Sequence, residues 1–365
     1  MSQNKVTLKH LANLANVSTT TVHRALHGKV GVGDEMTEKI KKLAAEVGYQ
    51  PNYFAASLKG KTFKIAVALP EPTLNNRFYY MNLWLGVRCF LKDIPEFDFE
   101  IVEFPYPYGE GTNGEALKKI YEEHRSSIDG LLTIAVDHPQ SSYFLEKLND
   151  ARIPIALVGS DLYKDARLCC VKTYDEMAGA MGADMLCSFT LRHDSKMKVI
   201  VTGSPFGPLA MLDQLHNLNG FLAYISESPI DVEVIEIFEN PIEPVSSRMK
   251  RALQDSNDIC AIYSCSARHT VQACNAVEEL GLAGKVKIIG NDLFPESING
   301  LKNAVLTATI DKKISDQTHL AMQALFNLIV KGEYPPKSLI CVPPSIVLRS
   351  NIDMDCSGVH IANTV

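Results

Sequence analysis

The stretch VTLKHLANLANVSTTTVHRAL, Val6 to Leu26, reads as two short helices joined by a tight turn. Thr7 is placed to cap a first helix whose Leu8, Leu11, Ala12 and Ala15 follow the i, i+3, i+4, i+7 spacing of one apolar face. Asn16-Val17 supplies the turn, and Ser18 caps a second helix running to about Leu26. Burying Val22, Ala25 and Leu26 leaves Thr19, Thr20, His23 and Arg24 on the outer face. Hydroxyls and one guanidinium at the exposed N-terminal end of a short helix suit major-groove reading. Arg forks onto guanine, while Thr donates, accepts, or packs its methyl against thymine. The pattern predicts a helix-turn-helix for DNA, against the plainer reading of a three-helix bundle that binds protein.

Charge favours DNA. Residues 1–62 carry nine Lys/Arg against four acids, net +5, although the whole chain is net -6. The remainder is therefore net -11, and the attraction for phosphate lies at one end of the molecule. At 365 residues with 46% hydrophobic content, the chain has room for two or three domains and a sizeable core. No apolar run is long enough to span a membrane, and MSQNKVTLKH lacks the apolar centre of a signal peptide, so a cytoplasmic location is expected. Nine Cys without a Cys-x-x-Cys pair read as reduced and mostly buried, with Cys169-Cys170 in a strand. No metal and no cofactor is expected.

A third helix, Glu35 to Val47, capped by Asp34 and stopped by Gly48, offers Met36, Ile40, Leu43, Ala44 and Val47 to the same small core. Pro51 ends it, and Tyr53–Gly60 is too short to stay helical without a partner, whether a second copy or DNA.

The segments VTLKHLANLANVSTTTVHRAL and VGYQPNYFAASLKGK together resemble the LacI/GalR family, closely over the head and more loosely over nearly the whole chain. The resemblance implies a homodimer on a double-stranded DNA operator, with second helices in successive major grooves and hinge helices paired in the minor groove. By it Thr19, Thr20 and Arg24 read bases, Ser18, Thr21 and Asn52 touch phosphate or groove edges, and Ala55 and Leu58 enter the minor groove, Leu58 as a wedge. Thr7 joins the DNA-facing set. Tyr53 stands where the family often carries a basic residue.

From Phe63 onward apolar strand runs alternate with helical stretches: Lys64–Pro70, Glu100–Phe104, Gly130–Ala135, Ile155–Val158, Val199–Thr202, Val232–Ile237, Ala261–Tyr263, Lys287–Ile289 and Val305–Ile310. That alternation predicts α/β architecture with parallel sheets, in two similar lobes because one sheet would be too wide. The resemblance implies a two-lobed, type I periplasmic-binding-protein-like domain. The expected division is an all-α head at 1–50, a hinge at 51–62, and a ligand domain at 63–365, with lobe 1 about 63–161 and 313–332 and lobe 2 about 162–312 and 333–365. Chain crossings are expected near Asp161, Lys312 and Gly332.

Ligands of open parallel sheets bind beyond the carboxyl ends of the strands. There the chain places Asn76, Phe78 and Tyr79, then Asp137, Asp161, Asp292 and Lys312, with Asn217 on a following helix. Acids and amides can hold hydroxyls while rings cover C–H faces, which suits a sugar, cyclitol or sugar derivative. TLNNRFY also resembles the TLNNPFF segment of ribose-type binding proteins. By the resemblance, Asn217 stands where the family usually carries Arg, three residues before Gly220-Phe221, and Arg77 and Lys312 point to an anionic ligand. Asp175 reads as a helix cap only. No catalytic motif is present, so no catalytic residue is expected. No leucine heptad follows Ser350, so a dimer rather than a tetramer is expected. The leading reading is a ligand-responsive transcriptional regulator, a repressor of carbohydrate-utilisation genes. The alternative is a solute-binding protein, which leaves the head without a purpose.

Overall fold

A computed structural model describes residues 8–26, 32–47, 62–73, 76–95, 97–189, 197–205, 212–240 and 242–352. At the amino end, α1 (Leu8–Ala15), α2 (Thr19–Leu26) and α3 (Asp34–Glu46) form as the apolar spacing predicts. Asn16 turns the chain between α1 and α2 at a left-handed φ of 57°, which Asn tolerates better than most residues. Leu11, Ala12, Ala15, Val22, Ala25, Ile40 and Ala44 close one small core, with Leu26 partly buried against it.

The body holds two six-stranded sheets. The first is built from β1 (Phe63–Ala68), β2 (Phe99–Glu103), β3 (Gly130–Ile134), β4 (Ile155–Val158), β5 (Cys169–Thr173) and β11 (Leu339–Val342), all parallel, in the order β11-β5-β4-β3-β1-β2. Ile65, Ala66, Val67 and Ala68 are wholly buried, because helices cover both faces of the strand. On one face α4 (Arg77–Asp93) and α12 (Ile314–Phe326) contribute Leu83, Trp84, Phe90, Met322 and Leu325. On the other, α5 (Thr112–Lys119) with the π turn after it, and α6 (Pro139–Asp150), contribute Leu117, Ile120, Leu145 and Leu148.

The second sheet joins β6 (Met197–Gly203), β7 (Val232–Phe238), β8 (Ile259–Ser264), β9 (Lys287–Asn291), β10 (Ala308–Asp311) and β12 (Ser345–Val347), in the order β12-β10-β9-β8-β6-β7. Only β12 runs antiparallel, against β10. One face is covered by α7 (Asp175–Phe189) and α8 (Leu212–Glu227), the other by α9 (Val245–Asp255), α10 (Ala267–Glu279) and α11 (Pro295–Lys302). α7 and α8 cross almost backbone to backbone. A methyl built on Gly179 would lie 1.9 Å from the Asn217 carbonyl oxygen, and one on Gly220 2.0 Å from that of Glu176.

The chain passes between lobes at Tyr174, at Lys312-Lys313 and at Pro343-Pro344. The first and third crossings differ from the expected Asp161 and Gly332. Cys169-Cys170-Val171 is buried and pairs with β4, and β11 then pairs with β5 (Leu339 against Cys170), so both strands extend the first sheet before the chain leaves it. Local pattern marks such strands but not the sheet they join. Among the described residues no helix is long and apolar enough to cross a membrane, and no group of His, Cys, Asp and Glu could hold a metal ion. None of the eight described Cys is in a disulfide. Cys169, Cys170, Cys187 and Cys265 are buried, whereas Cys89, Cys260, Cys274 and Cys341 are partly exposed.

Candidate functional sites

In the head, Ser18 caps α2: its Oγ accepts the backbone N–H of Thr21 at 3.1 Å and lies 2.9 Å from the Thr21 hydroxyl. With Val22 and Ala25 turned into the core, Thr19, Thr20 and Arg24 stand exposed and Thr21 half-exposed. The three expected base readers therefore share one solvent face. Thr7, Asn52, Ala55 and Leu58, and the side chains of Leu8 and His23, lie outside the described residues, as does the hinge at 51–61.

In the body, strand ends of both lobes converge on a cleft, and the expected ligand residues divide into three groups. Tyr79, Asp292 and Lys312 meet there. Lys312, only 2% exposed, sits with Nζ 3.5 Å from Asp292 Oδ1, 3.5 Å from Asp213 Oδ2, and 5.9 Å from the centre of the Tyr79 ring. Asp292, 1% exposed, follows β9 at a left-handed φ of 71°. A methyl at Gly159 would lie 3.6 Å from the Tyr79 hydroxyl, so this ring reaches over the end of β4.

The electrostatics follow from burial. Burial lifts the Asp292 carboxyl to about 6, with Asp311 and Asp213 adding and Lys312 opposing. Burial also lifts Asp175, again to about 6, with Asp213 adding and Lys172, 2.9 Å away, opposing. Burial alone would depress Lys312, but Asp292, Asp213 and Asp175 outweigh it and hold the ammonium above its usual range. The Tyr79 hydroxyl is raised by burial and then by Asp213, Asp292 and Asp175.

A second group spans the lobes. Phe78 is buried with its ring centroid 4.8 Å from that of Phe294, and the Arg77 guanidinium lies 4.2 Å over the Phe78 ring while pairing with Glu296. Asn82 Nδ2 donates to the Leu293 carbonyl at 3.1 Å. Phe78 is thus engaged by the opposite lobe.

The third group is held by its own lobe. Asn76 Oδ1 accepts the Thr73 N–H and hydroxyl at 2.9 and 2.6 Å, which shapes the loop before α4. Asp161 pairs with Arg167 and with Lys164 at 3.3 Å; burial would raise its carboxyl, but the two cations hold it below the usual range. Asn217 is wholly buried, accepts from Tyr263 at 2.5 Å and donates to Asn291 Oδ1 at 3.3 Å. Asp137 stands exposed at the rim after β3.

The charges that raised an anionic ligand are both answered by protein carboxylates, Arg77 by Glu296 and Lys312 by Asp213 and Asp292. Sequence reasoning missed Asp213, although it stands four residues before Asn217 on the same helix and so shares its face. It also missed the Glu239–Arg268 pair beyond β7 and β8, where Arg268 donates to Ser204 Oγ at 3.2 Å. Tyr108 of the first lobe lies within electrostatic reach of Arg268, Glu239 and Asp213.

Comparison with known proteins matches residues 7–52 to the lacI family of bacterial regulatory proteins and residues 72–333 to a periplasmic binding protein domain. The HTH-type transcriptional regulator DegA of Bacillus subtilis is 23% identical over 94% of this chain and 97% of its own length. A ribose operon repressor of Haemophilus influenzae is 26% identical over 95% of this chain and 98% of its own. Among solved structures, a periplasmic solute binding protein of Actinobacillus succinogenes with bound D-allose superposes with a TM-score of 0.68 at 20% identity, over 80% of this chain and all of that one; it shares the fold.

Proposed function

Since this chain belongs to the LacI family of bacterial regulatory proteins and is a ligand-responsive DNA-binding regulator of transcription, we propose that it works as a cytoplasmic repressor of carbohydrate-utilisation genes. A homodimer holds a pseudo-palindromic operator, with Thr19, Thr20 and Arg24 of each copy in a major groove. A sugar-like or polyol effector enters between the lobes against Tyr79, Asp292 and Asp213. It can change operator affinity only through unequal affinity for the open and closed arrangements of the lobes. The names of the relatives, a ribose operon repressor among them, support the carbohydrate link.

The observation that carries the reading is the outward Thr19–Thr20–Arg24 face on a helix whose opposite side closes a core, in a chain that also holds a polar cleft. A purely solute-binding role leaves that face unused. Operator selection from random duplexes followed by gel shift tests it. Specific retardation is expected, weakening steeply as salt rises and altered by an effector; retardation indifferent to DNA sequence overturns it.

A further inference from the structure

The charges around the cleft do not balance. Beyond the strand ends, Asp175 meets Lys172, Glu239 meets Arg268, Asp311 meets Lys313, Glu296 meets Arg77, and Asp161 meets Arg167 with the exposed Lys164. Asp213 and Asp292, by contrast, share the single ammonium of Lys312. Asp137 at the rim adds a further acid. The undescribed segments that follow β1 and β6 in sequence, 74–75 and 206–211, contain no ionisable residue, so they do not alter the count.

Asp292 supplies a second, independent observation. Its side chain is 2% exposed, and its buried Oδ1 receives no hydrogen bond. The Lys312 ammonium, 3.5 Å away and equally near Asp213, gives that oxygen only a long contact. A buried carboxylate oxygen without a donor costs free energy, and one that also shares its counter-charge costs more. The Tyr79 ring, from the other lobe, is near enough for both acids to act on its hydroxyl. A ligand between the lobes therefore meets an aromatic ring, an acceptor in want of a donor and, around Lys312, one excess negative charge, to which Asp137 at the rim adds.

Resting on the effector site proposed above, we infer that the effector carries a positive charge: a polyhydroxylated ring with one protonated amine, an amino sugar. Its ammonium takes the Asp292–Asp213 side of Lys312, where it supplies the missing donor and the missing charge, while the Tyr79 ring covers its C–H face. A neutral sugar supplies the donor alone. A uronate or sugar phosphate adds a second negative charge to a site already in excess.

Calorimetric titration of the full chain with matched sets isolates the charge: D-glucosamine, D-galactosamine and D-mannosamine, their parent hexoses, their N-acetyl derivatives, and glucuronate and galacturonate. Within at least one set the amine is expected to bind about tenfold tighter than parent and N-acetyl forms, since a charge-assisted hydrogen bond gains roughly that over a neutral one. Asp292→Asn removes the preference. Should that variant fail to melt cooperatively, Asp213→Asn makes the same test. Equal or tighter binding of a parent hexose or uronate, or no binding of any of the three amines, overturns the inference. Operator gel shift is scored separately, so loss of the regulator reading and loss of the charge preference are told apart.

Discussion

The Phe78 ring of α4 and the Phe294 ring before α11 lie with centroids 4.8 Å apart, tilted by 45°, and join the two lobes by an apolar contact. Both are buried, and the contact extends to Ala267 and Val271 of the second lobe. Arg77–Glu296 and Asn82–Leu293 flank it. On this side the two lobes are thus joined by side-chain contacts of the protein itself.

Because this contact exists only with the lobes together, Phe78→Ala acts on closure as well as stability. It should destabilise by about 3 kcal/mol, at the lower end for a buried Phe, and expand the protein in small-angle X-ray scattering. Arg77→Ala acts more weakly. Arg77 and Glu296 are each about a third exposed (34% and 36%), so a double-mutant cycle should give a coupling of about 0.5 kcal/mol.

The α7–α8 crossing leaves no room for a methyl group. Gly179→Ala and Gly220→Ala should each cost at least about 2 kcal/mol, read as a lower midpoint in urea, because the obstructing atoms are backbone carbonyls that cannot swing aside.

Acidity separates stability from binding. Asp292 is lifted to about 6 from an unfolded value near 3.8, so below pH 6 the folded state takes up a proton the unfolded chain does not yet hold. Its ionisation penalty, about 3 kcal/mol for a shift of that size, is present above pH 6 and relieved as pH falls toward 4. The melting temperature of wild type relative to Asp292→Asn should therefore rise over that interval, with Lys312, Asp213 and Asp311 as the charges that tune it. Effector affinity should move the other way, since the protonated carboxyl no longer offers a charged acceptor.

At the DNA end, Arg24→Ala should cost about 1–3 kcal/mol of operator affinity and relax base preference at one position of each half-site, measured by gel shift on single-base operator variants. Ser18→Ala should cost about 1 kcal/mol in head stability through the lost cap at Thr21 N–H, measured by thermal melting.

Much of this was legible from residues near one another in the chain. α1, α2 and α3, the Ser18 cap and the exposed Thr19, Thr20 and Arg24 follow from helical periodicity. The structure buries Leu11, Ala12, Ala15, Val22, Ala25, Ile40 and Ala44 as that spacing requires, although Asp34 begins α3 rather than capping it. Most strands of the body were legible for the same reason, since Ile65–Ala68 or Leu131–Ile134 are too apolar to lie anywhere but between layers. β11 defeated the reading of the lobes because its partner β5 lies more than 160 residues away, and β5, though close in sequence to its partner β4, carries no local mark of which sheet it joins.

In the cleft, strand-end position alone brought Tyr79, Asp292 and Lys312 to notice, but it could not say which charges would cancel. Lys312 looked like a cation for a ligand until Asp213, about a hundred residues earlier, proved to be as near as Asp292. Asn217 turned inward to Tyr263 and Asn291, Asp161 was taken by Arg167, and Phe78 by Phe294. Side-chain type and periodicity, properties of neighbours in the chain, determined the head, the alternating body and the general whereabouts of the ligand. Only the folding together of distant strand ends decided the net charge and free acceptors of the cleft, because Coulomb attraction and hydrogen bonding act over a few ångströms of space and take no account of separation along the chain.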